Sequence, residues 1–242
     1  MLRALKKDFP KIHLKAFTAV EIDYLAKLSG MPLKDTLIKL REAGLGSLPG
    51  GGAEIFNPGI RNTLCAEKIN GDRWLEVIEA AHTVGLKSNA TMLYGHIESY
   101  EHRVDHLIKL RDLQDRTKGF QAFIPLSFHS QNTEIKKSAY TTGFDDLKTL
   151  AISRLMLDNF DHIKAYWVSA GERLAQTALA FGVDDLDGTV LDEKIFKMAG
   201  STVPSALSET SFHALIRAAG RVPAERDSLY NVLRTYPLSP TG

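Results

Sequence analysis

The stretch Leu86-Lys87-Ser88-Asn89-Ala90-Thr91-Met92-Leu93 indicates the fold most directly, because it has the length of a strand and lies between two helical patterns. Gly85 follows the first helical pattern and Gly119 the second, as glycine often does at helix C-termini. The two helices are indicated by apolar residues at helical spacing, at Trp74, Val77, Ile78 and Ala81 and then at Val104, Leu107 and Ile108. This segment predicts a helix–strand–helix unit of an α/β protein.

Similar strands recur along the chain, with helices between them. Their starts are mostly about 35–40 residues apart, which favours βα units and a parallel sheet. This rhythm suits a (β/α) barrel better than an open sheet. Because a complete barrel has eight strands, we predict an incomplete (β/α) barrel with about six of them, lacking the first two. The other predicted strands are Ile12 to Phe17, Ala53 to Phe56, Gln121 to Phe128, His162 to Val168 and one near Val183 to Leu186.

The chain is predicted to form one domain over residues 1–242, with a helical tail. Leu2 to Phe9 has the pattern of the last turns of a helix, so we expect the barrel to begin before this chain does. The tail from Pro223 to Gly242 is predicted to be one more helix followed by a frayed end.

The composition is that of an ordinary globular protein and narrows the class of partner. Of 242 residues, 44% are hydrophobic and 24% are charged, and the formal net charge is +1, which favours neither nucleic acid nor an acidic membrane as partner. No apolar run approaches the roughly 18 residues of a membrane-spanning helix. The basic N-terminus lacks the apolar core and cleavage site of a signal peptide. We therefore expect a cytoplasmic protein.

Cysteine and histidine usage argues against a metal site within the chain. Cys65 is the only cysteine, which excludes an internal disulfide. Zinc and iron–sulfur sites held by cysteine need several thiolates, so one cysteine cannot supply them. His102 and His106 have the i, i+4 spacing of a helical zinc site but lack its glutamate pattern. We predict no metal ligands in this chain.

A glycine run with a nearby carboxylate is the first candidate site. Gly50, Gly51 and Gly52 carry no side chains, so a ligand can approach the backbone closely. Glu54 lies two residues beyond, in a predicted apolar strand, where its carboxylate can accept hydrogen bonds from both hydroxyls of a ribose. The alternatives are a flexible turn for the glycines and a paired, structural role for Glu54.

Three cationic or titratable side chains follow or interrupt other predicted strands. Lys15 lies within an apolar strand, and His96 and His129 come directly after two others. In a (β/α) barrel the functional groups lie at the C-terminal ends of the strands, so these side chains are candidates for the barrel mouth. The alternatives are packed or capping histidines, and a lysine that reaches solvent at the rim.

Taken together, these segments resemble one group of radical S-adenosylmethionine (SAM) enzymes. The group contains aminofutalosine synthase, dehypoxanthine futalosine cyclase and the two components of deazaflavin (F0) synthase. Pro49 to Glu54 and Thr91 to Glu98 look like motifs of the whole group. Motifs similar to those of aminofutalosine synthase are Lys15 to Glu21, Phe123 to His129, and Gly220 to Pro223 with Arg226-Asp227 and Leu229-Tyr230.

Two departures separate the sequence from dehypoxanthine futalosine cyclase. The cyclase usually has a His in place of Lys15, and Trp and Gln near Leu126 and His129. The cyclase and an F0 synthase component remain the alternatives within the group. The similarity runs from about residue 2 to about residue 235.

The resemblance implies a radical SAM barrel, SAM and a 4Fe–4S cluster that cleaves SAM reductively. The adenosyl radical would add to the enol ether of 3-[(1-carboxyvinyl)oxy]benzoate, and rearrangement with loss of bicarbonate would give aminodeoxyfutalosine for menaquinone biosynthesis. A dicarboxylate substrate favours cationic partners, because charge-assisted hydrogen bonds are strong. The residues assigned through the resemblance are Gly50, Gly51, Glu54 and Asn89 for SAM, and Lys15, Thr18, His96 and His129 for the substrate.

The sequence departs from the group at the cluster. The three cluster cysteines, spaced C-x3-C-x2-C, would lie after the first strand, and no such segment is present. We therefore expect this chain alone to be inactive, as a fragment or as a non-catalytic partner that completes a barrel with a separate cluster-bearing chain. A different enzyme class on the same scaffold is the remaining alternative: a lyase or aldolase that uses Lys15 as a Schiff-base amine.

Overall fold

A computed structural model describes residues 1–133, 135, 141–189, 194, 198 and 207–237. The chain divides into two compact units that interleave along the sequence. The first unit contains Met1–Met92, Glu98–Phe123 and Asn159–Asp161, and the second contains Leu93–Ile97, Ile124–Asp158 and His162–Gly242. The organisation of residues 1–242 as one domain stays a prediction.

Helices and strands alternate over much of the described chain. The helices are α1 Leu2–Asp8, α2 Ala19–Ser29, α3 Leu33–Glu42, α4 Pro58–Leu64, α5 Gly71–Thr83, α6 Tyr100–Thr117, α7 Gly143–Met156, α8 Trp167–Ala170, α9 Glu172–Ala178 and α10 Glu209–Ala218. The strands are β1 Ser47–Leu48, β2 Lys87–Tyr94, β3 Phe120–Ser127, β4 His162–Ile163, β5 Ala224–Arg226 and β6 Val232–Thr235.

The first four strands form one sheet in the order β1-β2-β3-β4. β1 and β2 pair in parallel, with Ser47 opposite Lys87. Single parallel bridges, Lys15 with Ser47 and Lys164 with Asp185, extend the strand positions before β1 and after β4. The α/β class and the parallel sheet are therefore confirmed. Within the described residues the sheet does not close into a barrel.

Two predicted strands match the structure along nearly their whole length. β2 and β3 are almost entirely buried. The helices beside β2 are also confirmed, since α5 buries Trp74 and Val77 and α6 buries Leu107. α6 ends in a left-handed Lys118 (φ 50°) rather than at Gly119. Gly119 instead makes room for the His82 ring, which a Cβ there would approach to 2.1 Å.

The strand predicted at Ala53 to Phe56 is wrong. The strand of this region is β1, and Ala53 to Phe56 form a bend and a loop before α4. The positive φ of Gly50 (85°), Gly52 (82°) and Glu54 (46°) explains the difference, because extended backbone requires a negative φ. Glu54 therefore lies in a tight loop rather than in a strand.

Two further predicted strands are shorter than expected. Of the strand predicted at Ile12 to Phe17, the structure contains only a β-bridge at Lys15. The positive φ of Phe17 (60°) ends the extended backbone there. The prediction for His162 to Val168 reduces to β4, because α8 already begins at Trp167. Near Val183 to Leu186, Asp185 alone forms a bridge.

The helix predicted in the tail is also wrong. The described part of Pro223 to Gly242 contains the antiparallel hairpin β5–β6, with Ala224 opposite Thr235. The Asp227 carboxylate explains the turn, because it accepts hydrogen bonds from the backbone N–H groups of Leu229 and Asn231. Such local side-chain bonds favour turns over helix. The last residues of the tail, 238–242, lie outside the described residues, so the frayed end stays a prediction.

Candidate functional site

The glycine loop, residues 50–54, follows β1 in the first unit. Each of its carbonyl groups from Gly50 to Ala53 accepts a hydrogen bond from a side chain. Thr91 Oγ1 donates to the Gly50 oxygen at 2.9 Å, and Trp74 Nε1 donates to the Gly51 oxygen at 3.1 Å. The remaining two carbonyls are bound by an arginine described below. The loop is therefore held from β2 and α5, and is not the flexible turn that a glycine run alone permits.

Gly50, Gly51, Asn89 and Thr18 lie close together in the first unit. A Cβ on Gly50 would lie 2.4 Å from the Asn89 carbonyl oxygen, and one on Gly51 would lie 3.2 Å from Thr18 Cγ2. Gly50 is therefore required for packing against β2, whatever ligand approaches the loop. Asn89 is buried, and its Oδ1 has no hydrogen-bond partner among the described residues. A buried amide oxygen of this kind fits an amino donor such as that of adenine.

Glu54 forms an ion pair in the structure. Lys68 Nζ lies 2.8 Å from Glu54 Oε1, and the Glu54 side chain is 17% exposed. Burial lowers the pKa of Lys68, but the Glu54 charge and hydrogen bond outweigh it and hold that pKa above its usual value. The geometry is that of a paired carboxylate, while the role of Glu54 in binding the ribose stays a prediction.

Lys15 and Thr18 already have structural roles in the first unit. The backbone of Lys15 forms a parallel β-bridge with Ser47, the first residue of β1, and Lys15 is half-buried. Thr18 is the N-cap of α2 in a reciprocal capping box with Glu21, whose carboxylate accepts from the Thr18 N–H at 2.7 Å and from its hydroxyl at 2.9 Å. The substrate-binding roles of both residues stay predictions.

His96 in the second unit uses both of its ring nitrogens. Nδ1 accepts from the Ile97 N–H at 2.8 Å, so Nε2 carries the proton and donates to the Leu93 carbonyl at 2.9 Å. The ring also packs edge-on against Phe128, with centroids 5.9 Å apart. This is the geometry of a packed, loop-capping imidazole, so binding a carboxylate would require His96 to give up a hydrogen bond.

His129 in the second unit lies near two serine hydroxyls. Its Nε2 lies 3.5 Å from Ser169 Oγ, which is itself 3.3 Å from Ser127 Oγ. The His129 side chain is half-buried, just beyond β3. This position at a strand end is the one that the sequence predicted, and its substrate role stays a prediction.

Arg61 of α4 is the residue that sequence reasoning missed. It is 3% exposed, and its guanidinium donates to the carbonyls of Gly52 at 3.3 Å and of Ala53. It also donates to the carbonyls of Ile55 at 3.3 Å and of Ile69. The only available signal was an arginine within an apolar segment, which does not by itself distinguish a buried guanidinium from a surface one.

Cys65 does not fit an iron–sulfur cluster. It is buried at the end of α4, and burial raises the pKa of its thiol. A cubane cluster needs several thiolates, and this chain has one cysteine. Among the residues that the structure describes, no three His, Cys, Asp or Glu side chains group as metal ligands would.

No helix in the described part of the chain has the length and apolar character needed to span a membrane.

A family model described as the CofH/MqnC C-terminal region matches residues 117–239. The 5-amino-6-(D-ribitylamino)uracil–L-tyrosine 4-hydroxyphenyl transferase of Archaeoglobus fulgidus is 43% identical over 235 residues, which cover 96% of this chain and 68% of that protein. The chain belongs to this radical SAM family. The group to which the motifs pointed is therefore confirmed.

Two other relatives carry the name aminodeoxyfutalosine synthase. The protein of Thermus thermophilus is 47% identical over 240 residues, covering 98% of this chain and 64% of its own length. The protein of Streptomyces coelicolor is 44% identical over 246 residues, covering 97% of this chain and 64% of its own length. This chain thus spans less than two thirds of the length of these two relatives.

Solved structures with the same fold are distant in sequence. Methylornithine synthase (PylB) matches with a TM-score of 0.65 and 14% identity, over 93% of this chain and 62% of that one. The FeFe-hydrogenase maturase HydG of Carboxydothermus hydrogenoformans matches with a TM-score of 0.61 and 16% identity, over 81% and 47%. These likenesses establish the radical SAM fold of the chain.

Proposed function

We propose that this chain is part of an aminodeoxyfutalosine synthase. The observation that carries the proposal is 47% identity to the Thermus thermophilus enzyme of that name over 98% of the chain. Lys15 and His129, at the positions that favour the synthase over the cyclase, support it. Reductive cleavage of the C5′–S bond of SAM would release methionine, with the electron supplied by the cluster that the family implies. The adenosyl radical would add to the enol ether carbon of 3-[(1-carboxyvinyl)oxy]benzoate, and rearrangement with loss of bicarbonate would give aminodeoxyfutalosine.

The residues of the chain would bind and orient the two reactants. The glycine loop and Asn89 would hold the nucleoside of SAM, with Glu54 accepting from its ribose hydroxyls. Lys15 and His129 would bind the substrate carboxylates, because hydrogen bonds to a carboxylate are charge-assisted and strong. His96 and Thr18 would complete the substrate contacts.

The 4Fe–4S cluster implied by the family does not fit the residues of this chain, because Cys65 is a single, buried thiol. We propose that the cluster ligands come from sequence outside this chain, either in a longer protein or in a separate cluster-bearing chain. The residues described here would then supply the nucleoside and substrate contacts. Cytoplasmic localisation remains part of the same proposal.

Ligand binding to the 242-residue chain tests the proposal without requiring turnover. Isothermal titration calorimetry with 3-[(1-carboxyvinyl)oxy]benzoate and with SAM should give saturable binding of both. Adding a cluster-bearing segment should then give aminodeoxyfutalosine, detected by mass spectrometry. Absence of any binding to the enol ether, in a chain shown to be folded by circular dichroism, would contradict the proposal.

A second function is favoured by one specific comparison. The Archaeoglobus fulgidus relative, named for a reaction between 5-amino-6-(D-ribitylamino)uracil and L-tyrosine, is 43% identical over 96% of this chain. Titration with these two compounds separates the two functions. Saturable binding of tyrosine and the uracil, with no binding of the enol ether, would favour the transferase.

A further inference from the structure

Buried side chains donate hydrogen bonds to four backbone carbonyls of the glycine loop and to that of Ile55, the residue after it. The Gly50 carbonyl accepts from Thr91, and the Gly51 carbonyl accepts from Trp74. Three more carbonyls, those of Gly52, Ala53 and Ile55, accept from the single guanidinium of Arg61. These carbonyl acceptors are therefore satisfied by side chains of the protein itself.

The N–H side of the same backbone is different. None of the backbone N–H groups from Gly50 to Glu54 donates a hydrogen bond to another described residue. Backbone donors in a loop with alternating positive φ, as at Gly50 and Gly52, form concave sites for electron-rich groups. Gly51, Gly52 and Glu54 are partly exposed, so their N–H groups remain available to a ligand or to solvent, whereas Gly50 and Ala53 are buried.

Arg61 is an unusual means of holding a loop, because its charge is buried. The side chain is 3% exposed, and among the described residues no carboxylate pairs with it. A buried charge is costly unless hydrogen bonds compensate it, and here four backbone carbonyls do so. Arginine suits this position because its planar guanidinium carries five donors in a fixed arrangement.

Arg61 also spans the two segments that bring Glu54 and Lys68 together. It binds the carbonyls on either side of Glu54, those of Ala53 and Ile55. It also binds the Ile69 carbonyl, next to Lys68. The left-handed backbone of Glu54 (φ 46°) is uncommon for a residue with a side chain and needs support from its surroundings. Arg61 supplies that support from both sides.

We propose that Arg61 is a positioning residue that holds the carbonyl side of the glycine loop, so that its N–H groups and the Glu54 carboxylate are presented to the nucleoside of SAM. The inference rests on the proposed function, because the ligand is the one assigned there. Arg61 itself would not contact SAM. Its effect on SAM would pass through the loop conformation.

The test measures loop conformation and SAM affinity separately in the 242-residue chain. Trp74 and Trp167 are its only tryptophans, so two indole N–H signals are expected in a nitrogen–proton NMR spectrum, and Trp167→Phe assigns them. The Trp74 signal reports on the loop, because its Nε1 donates to the Gly51 carbonyl. SAM affinity is measured by calorimetry.

Arg61→Met should move the Trp74 indole signal and weaken SAM binding by about tenfold or more, because the buried carbonyls lose their donors. Arg61→Lys keeps the charge but cannot reach all four carbonyls, so an intermediate loss is expected. Arg41→Met is the matched control, since Arg41 donates to the Val84 carbonyl elsewhere in the first unit. It should leave both readouts unchanged.

An Arg61→Met chain with unchanged SAM affinity and an unchanged Trp74 signal would overturn the proposal, as would an equal loss in Arg41→Met. If Arg61→Met does not fold, Arg61→Lys decides by the same two readouts. A wild-type chain that binds no SAM would overturn the nucleoside site of the proposed function instead. The Trp74 signal would then still show whether Arg61 holds the loop.

Discussion

Glu54 and Lys68 form an ion pair of 2.8 Å, so the carboxylate expected to accept from the SAM ribose already has a cationic partner. Lys68 either orients the carboxylate toward the ribose or competes with the ribose for it. The pair is partly exposed, so its own contribution to stability is small, about 1 kcal/mol or less. Mutating each partner separates the two roles.

Glu54→Gln should weaken SAM binding about tenfold to hundredfold, because a hydrogen bond to a charged group is lost. Lys68→Met should leave SAM binding equal or tighter, because the ribose hydroxyls then compete with no ammonium group. Calorimetry measures both, with Lys109→Met, from the surface pair with Asp105, as the control. Equal weakening by Glu54→Gln and Lys68→Met would mean that Lys68 orients the carboxylate.

His129→Ala should reduce product while leaving SAM cleavage largely intact, because the imidazole is predicted to contact only the substrate. The measurement is the ratio of 5′-deoxyadenosine to aminodeoxyfutalosine in the enzyme assembled with its cluster-bearing part. His213→Ala, in α10, is the control substitution. Unchanged product formation in His129→Ala would assign His129 a structural role, as in its contact with Ser169.

His96→Ala should lower stability as well as product, because both ring nitrogens bind the loop around Leu93 and Ile97. Loss of these two bonds predicts a destabilisation of about 1–3 kcal/mol, measured by urea denaturation. A variant of unchanged stability and reduced product would assign His96 to the substrate alone.

The isolated chain should show no 4Fe–4S absorption after anaerobic reconstitution, and no SAM cleavage. Cys65 is its only thiol and is buried, and one thiolate cannot hold a cubane cluster. Iron and sulfide analysis with the visible spectrum checks this. A stoichiometric cluster with SAM-dependent 5′-deoxyadenosine formation would be the contrary result.

The stability of the first unit should fall as the pH is lowered from about 6.5 toward 3. Burial lowers the pKa of both His82 and His106 from 6.5 to about 3. The unfolded chain binds these protons first. The contribution of each neutral histidine to the free energy of unfolding is therefore fully present above pH 6.5, and below it this free energy falls by about 1.4 kcal/mol per pH unit for each histidine. Urea denaturation from pH 7.5 to 4.5 measures the slope, which His82→Gln should reduce.

Asp185→Asn should destabilise the second unit by about 3–5 kcal/mol, because it leaves the buried Lys164 and the partly buried Arg226 with one fewer partner. Asp185 pairs with Arg226 and lies 3.7 Å from Lys164. Burial raises the pKa of Asp185, but the Arg226 hydrogen bond and the charges of Lys164 and Arg226 outweigh it and hold that pKa below its usual value. This stabilisation is therefore present above the usual carboxyl pKa and is lost as the pH falls through the lowered value.

Urea denaturation followed by the fluorescence of Trp167, which lies in the second unit, measures the effect of Asp185→Asn. Asp112→Asn, at an exposed position of α6, is the matched control. A loss no larger than that of the control would show that Lys164 is sufficiently paired by Asp187, 3.0 Å away.

Much of the scaffold followed from local pattern in the sequence. β2, β3, α5 and α6 were predictable because periodic burial and helix ends are properties of short segments. The family followed from motifs that are contiguous in the chain, such as Pro49 to Glu54 and Thr91 to Glu98.

Only the tertiary structure decided how the glycine loop is held. An apolar run at Ala53 to Phe56 predicts a strand by composition, but contacts with β2, α4 and α5 impose positive φ instead. Glu54 meets Lys68, and Arg61 is buried against carbonyls, because residues distant in the chain are brought together by folding. Such pairings depend on three-dimensional packing, which overrides the local preference of a short segment.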